Sequence, residues 1–181
     1  STNGKRCYPA YYSDGGPPTL QWCNKYVVTT ALEQDTAQVV NPNNVVSAAG
    51  AVAKRTTYTY VGAPAWRYND SLLVPAKYRT WNIWRGYGKV VTAVGDSGSG
   101  LTQTVSEDLF FRGMDGDRTD TSATKDVVVT DSKGGTWTDE DALAGALRES
   151  RRLTAVSGGS EVEGTIHDPY LSGPTADDGR A

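Results

Sequence analysis

The chain has 181 residues, of which 38% are hydrophobic and 22% charged, a balance that fits one globular domain and excludes a disordered one. Its net charge of −3 argues against nucleic acid as a partner, because phosphate binding relies on clustered Lys and Arg, and Arg151-Arg152 is a pair, not a patch. No apolar run reaches the 18 or so residues of a membrane helix, and Ser1 to Arg6 lead into no apolar stretch of a signal peptide.

Residues 1–23 read as an irregular N-terminal cap, with Tyr8-Pro9, Tyr11-Tyr12 and the turn Asp14-Gly15-Gly16-Pro17-Pro18. Cys7 and Cys23 flank that turn. A bridge between them would close a loop of roughly 16 residues, worth on the order of 3 kcal/mol in the chain-entropy model. The expectation is a disulfide; the alternative is two independent buried thiols.

Residues 24–174 read as the main β-hairpin region. Residues 24–33 are rich in β-branched side chains and predict a strand. Residues 34–53, with Asn41-Pro42-Asn43-Asn44, predict a long loop. Residues 54–61 alternate, Tyr58 and Tyr60 on one face and Thr57, Thr59 and Val61 on the other. Ala65 to Tyr68 form a short aromatic piece. Residues 89–94 predict a strand, residues 95–100 a hairpin tip, and residues 101–111 the return strand. Residues 126–130 predict another strand, which Asp131-Ser132-Lys133-Gly134-Gly135 turns into Thr136-Trp137-Thr138. Residues 139–152 are compatible with a helix, but Gly145 weakens it by about 1 kcal/mol. Two strands around Leu143-Ala144-Gly145 are favoured. Residues 164–170 predict a strand running into a loop, and residues 175–181 a disordered tail. The fold class expected is all-β, antiparallel and rich in hairpins, with at most one short helix.

Chemistry-bearing residues are sparse. His167 is the only histidine and stands beside Asp168-Pro169, so a surface residue is favoured over a triad base. Two cysteines cannot make a zinc site. Asp115, Asp117 and Asp120 place short oxygen ligands in one Gly-containing loop, as calcium prefers. The EF-hand spacing fails there, and a solvated turn is the favoured reading. Glu107 and Asp108 with Asp139 or Asp141 offer carboxylates, at no separation that spacing defines. Tyr78, Trp81, Trp84 and Tyr87 suggest either an aromatic platform for sugar rings or packing between strands, and packing is favoured.

Several ordered motifs carry a resemblance. They are Leu20-Gln21-Trp22-Cys23-Asn24-Lys25-Tyr26-Val27-Val28, Tyr58-Thr59-Tyr60-Val61-Gly62-Ala63-Pro64-Ala65-Trp66, Trp81-Asn82-Ile83-Trp84-Arg85-Gly86-Tyr87 and Phe110-Phe111-Arg112-Gly113-Met114-Asp115-Gly116-Asp117. Together, from about Cys7 to Pro174, the chain resembles actinobacterial RHS-repeat (YD-repeat) secreted proteins. That resemblance implies a segment lying before the regular repeats, built as part of a β-shell. It implies a non-enzymatic scaffold without cofactor, secreted or at the cell surface, whose partners are the adjacent repeats of the same polypeptide. The family's self-cleaving motif and C-terminal toxin are absent here, so neither activity carries over. An aromatic is more usual in that family at the position of Cys23. The rival readings are a β module binding cell-surface glycan through the Trp cluster, and a glycosidase or peptidase.

Overall fold

A computed structural model describes residues 4–33, 38–40, 46–48, 54–95, 103–120, 123–170 and 172. It is all-β: among these residues the only helical pieces are single 3₁₀ turns at Ala76–Tyr78 and Asp141–Leu143. The strands are β1 (Cys7–Tyr12), β2 (Thr19–Asn24), β3 (Thr30–Glu33), β4 (Gln38–Val40), β5 (Val46–Ala48), β6 (Lys54–Val61) and β7 (Ala65–Arg67). They continue with β8 (Ile83–Gly86), β9 (Lys89–Val94), β10 (Thr104–Phe110), β11 (Val128–Thr130), β12 (Thr136–Thr138), β13 (Leu147–Leu153) and β14 (Glu161–Ile166).

The centre is a six-stranded antiparallel sheet in the order β14-β13-β10-β9-β6-β3. Its register explains why the alternating segments pair as they do. Ala93 stands opposite Thr57 and Val105, and Val105 opposite Leu153, so one row of small and aliphatic side chains crosses four strands. Val91, Ala93 and Val105 are buried there, with Leu153 packed against them. The other face carries Tyr58, Thr92, Ser106, Arg152 and Glu163 in register. That row is polar, but the same face also carries Tyr60, opposite Val90, and the ring of Tyr87 packs on it. A second small core, Phe111, Val129 and Leu143 with Leu109 and Trp137, joins the β11–β12 hairpin to the end of β10.

Four expectations change. Residues 1–23 are not an irregular cap: β1 and β2 form a regular hairpin, Cys7 opposite Asn24 through Tyr12 opposite Thr19. The Gly15 backbone, at φ 105, permits the reversal, and inward-facing Ala10 is buried. The strand expected over 24–33 is confined to Thr30–Glu33; Lys25 is instead tied by its N–H to the Arg6 carbonyl. Within 34–53, β4 and β5 pair as a short hairpin in place of a continuous loop, and the remainder lies outside the described residues. Residues 139–152 form neither a helix nor two strands. A 3₁₀ turn leads through Gly145, at φ 85, into the single strand β13. Residues 96–100 and 175–181 lie outside the described residues.

Candidate functional site

The aromatic side chains form contacts between elements. Tyr8 of β1 lies 4.6 Å from Trp66, Trp66 4.8 Å from Trp84, Trp84 5.9 Å from Tyr87, and Tyr87 4.7 Å from Tyr60, all between ring centroids. This ladder ties the first hairpin through β7 and β8 to the central sheet. Trp66 is its buried rung, 4% exposed, and its Nε1 donates to the Lys5 carbonyl at 2.8 Å. The four residues offered as a platform are divided among different partners. Tyr78 packs on Tyr11, Trp81 on Tyr68 with its Nε1 donating to the Arg118 carbonyl, and only Trp84 and Tyr87 are in ring contact with each other. All four are half-buried. The most exposed aromatics lie elsewhere, at Trp22, Tyr26 and Tyr170.

The motif Phe110 to Asp117 is a turn held by three aspartates. Asp139 is fully buried, and its Oδ1 accepts the N–H groups of Arg112 and Gly113 at 2.7 and 2.8 Å. Its Oδ2 accepts the Met114 N–H at 3.1 Å. Gly113 sits at φ 67, and a Cβ there would meet Ala144 Cβ and Asp141 Cα, both at 3.0 Å. Only glycine fits. Asp115 Oδ1 accepts the Val127 N–H, and Asp117 accepts the Tyr68 N–H and the Lys125 ammonium. The suggested calcium trio is therefore not a cation site: Asp115 and Asp117 are spent on amides and a lysine, while Asp120 is exposed in the next turn. Among the described residues, no group of three or more His, Cys, Asp or Glu could hold a metal ion.

The remaining carboxylates are paired with cations across the sheet. Glu107 stands opposite Arg151 and bonds it, with Lys89 3.1 Å away. Burial pushes the Glu107 carboxyl up, but Arg151 and Lys89 outweigh it and hold the group below the usual range. Burial likewise raises Asp131, and the Gly135 and Lys133 amides with Arg148 overcome it. Arg148, 3% exposed, bridges Asp131 at 2.6 Å and Asp168 at 2.5 Å. Asp108 accepts from Ser150, and Asp141 from Arg85. Each of these carboxylates thus has a cation or hydroxyl partner. His167 is exposed, and its backbone N–H and carbonyl both bond Arg148.

The cysteines do not meet. With Cys7 opposite Asn24 and Cys23 opposite Tyr8, their side chains leave opposite faces of the hairpin, and no disulfide joins them. Cys23 instead approaches the Tyr12 hydroxyl at 3.6 Å. That contact, followed by Tyr8, pushes the Tyr12 phenol up to about 12.

Sequence reasoning overlooked the strand arginines. Arg67 and Arg85 converge on one carboxylate, Asp141, at 3.6 and 2.5 Å. Beside them, an open groove of about 490 Å³ runs between Ile83–Gly86 and Ala144-Gly145. The available signal was the alternation of Arg with Trp in Ala65-Trp66-Arg67 and Ile83-Trp84-Arg85. Compared with family models, curated proteins and solved structures, the chain matches none of them. No helix of the described residues is long and apolar enough to cross a membrane.

Proposed function

We propose that this chain is a non-enzymatic β-scaffold segment of a secreted RHS-type protein, contributing wall to a larger β enclosure. The observation that carries this reading is the state of the sheet's outer strand. Every residue of β14 is exposed, and β14 ends the six-stranded sheet with one edge unpaired by any described strand. An exposed six-residue edge is a template for another strand. At the opposite edge, β3 is short and Leu32 is 54% exposed. The engagement of Glu107, Asp108, Asp139 and Asp141 by cations, a hydroxyl and amides supports the non-catalytic part. The partners in this reading are the neighbouring repeats of the same polypeptide.

Sedimentation and thermal unfolding test it. The isolated chain should self-associate. The chain extended by the flanking repeats should be monomeric and melt at a higher temperature. An isolated chain that stays monomeric and unfolds no more easily than the extended one would overturn the scaffold reading.

A further inference from the structure

We propose that Asp14-Gly15, at the tip of the β1–β2 hairpin, is a site of spontaneous isoaspartate formation, a main-chain modification that the same dipeptide at Asp115-Gly116 is folded to resist. This goes beyond the scaffold reading and does not depend on it. The reaction needs no second molecule but water. The Gly15 nitrogen attacks Cγ of the Asp14 carboxyl in its acid form. A C–N bond forms, the C–OH bond breaks, and the hydroxyl leaves with the nitrogen's proton as water. Water then opens the five-membered imide. Cleavage of the Cγ–N bond restores aspartate. Cleavage between the α-carbonyl and the nitrogen leaves isoaspartate, in which the chain runs through Cβ and Cγ.

The hairpin tip leaves both reacting groups free. Ser13, Asp14, Gly15 and Gly16 are all exposed, in the loop that joins Tyr12 to its partner Thr19. The Asp14 carboxylate has no hydrogen-bond or ion-pair partner among the described residues. The Gly15 N–H reaches only the Ser13 hydroxyl, at 3.4 Å, beyond the usual range of an N–H···O bond. Nothing shields the nitrogen from outside, since a Cβ at Gly15 would meet no atom within 4 Å. Glycine also lacks the Cβ that would crowd the attack in any other residue. Carboxyl and amide can therefore turn onto each other without breaking a contact of the fold.

Asp115-Gly116 has the same two residues and none of this freedom. The Gly116 N–H donates to the Lys125 carbonyl at 2.9 Å, and Asp115 Oδ1 accepts the Val127 N–H at 2.9 Å. The Asp115 N–H is itself tied to the Asp139 carbonyl at 2.9 Å. Ring closure there must break the first two bonds together, on a backbone fixed by the third. Losing hydrogen bonds of this kind slows closure by about tenfold or more. The third Asp-Gly pair of the sequence, Asp178-Gly179, lies outside the described residues.

The test ages the 181-residue chain at neutral pH and maps it by mass spectrometry with electron-based fragmentation, which distinguishes isoaspartate from aspartate. Isoaspartate should accumulate at position 14 about tenfold faster than at 115, or more so. The imide at position 14 should appear in passing as the loss of one water. In denaturant, where the bonds at Gly116 and Asp115 are gone, the two positions should react at similar rates. Asp14→Ser should remove the signal at that site with an unchanged melting temperature, because position 14 lies outside the β1–β2 ladder. Equal native rates at 14 and 115, no isoaspartate at 14, or a preference for 14 that persists undiminished in denaturant would overturn the proposal.

Discussion

Asp139 and Arg112 are 27 positions apart, yet the Asp139 carboxylate accepts the Arg112 backbone N–H at 2.7 Å and two further amides beside it. This contact converts Arg112-Gly113-Met114 from a loop into a fixed corner that sets Phe111 into its core. Its importance follows from burial: Asp139 is 0% exposed, and water cannot replace it.

Asp139→Ala should accordingly cost at least about 3 kcal/mol, because each orphaned buried amide carries its full desolvation penalty. Asp139→Asn, which retains one acceptor oxygen, should cost less. Chemical denaturation of the three proteins checks the order. Equal midpoints for Asp139→Ala and the parent would show that the corner forms without the carboxylate.

Trp66→Ala should destabilise by about 3–5 kcal/mol, since a buried rung is removed and the Lys5 carbonyl loses its donor. Trp22→Ala should change stability by no more than about 0.5 kcal/mol, because Trp22 is 66% exposed on the hairpin's outer side. Thermal melts of both variants measure the contrast. Similar losses at the two positions would contradict the ring ladder.

Cys7 and Cys23 should both be alkylated in native, non-reduced protein, giving two adducts by intact mass. A bridge would need a one-residue slip of β1 against β2, which turns every side chain of one strand to the other face and breaks the Tyr8–Trp66 contact. A single species with no adduct would show that the slipped register is the stable one.

Stability should fall in acid through Glu107 and Asp131. Both native carboxyls are held below their ordinary values, so their contribution is complete above about pH 4 and is lost as pH drops through the lower native values. Glu107→Gln should be less stable than the parent at pH 7 and show a shallower decline below about pH 4. Parallel acid slopes in the two proteins would remove Glu107 from the acid response.

Much of the fold was legible in short stretches. The alternation in Lys54 to Val61, the Val-rich Lys89 to Val94 and the Gly turn after Asp131 all correspond to observed elements. These signals are local: a period of two marks a strand, and a glycine marks where the backbone can reverse. What residue patterns could not convey was which strand lies beside which, and in what register. Residues 1–23 concealed a hairpin because Tyr, Pro and Cys do not alternate in polarity there, and the pairing is set by inward burial of Tyr8 and Ala10 against the rest of the molecule.

Local residue patterns establish the all-β class, the positions of most turns and the chemical inventory: one histidine, two cysteines, and Trp and Arg interleaved in short stretches. Tertiary structure decided the partners. It placed the cysteines on opposite faces, divided the expected ring platform among separate contacts, gave the Asp115 and Asp117 carboxylates to amides and Lys125, and brought Arg67 and Arg85 onto Asp141. The reason is physical. Local periodicity states which side chains share a face, but a contact between residues 67 and 141 exists only once the chain has paid the entropy of closing the loop between them. That closure is driven by burial elsewhere in the molecule, in the Phe111 core and around Trp66, which no single segment encodes.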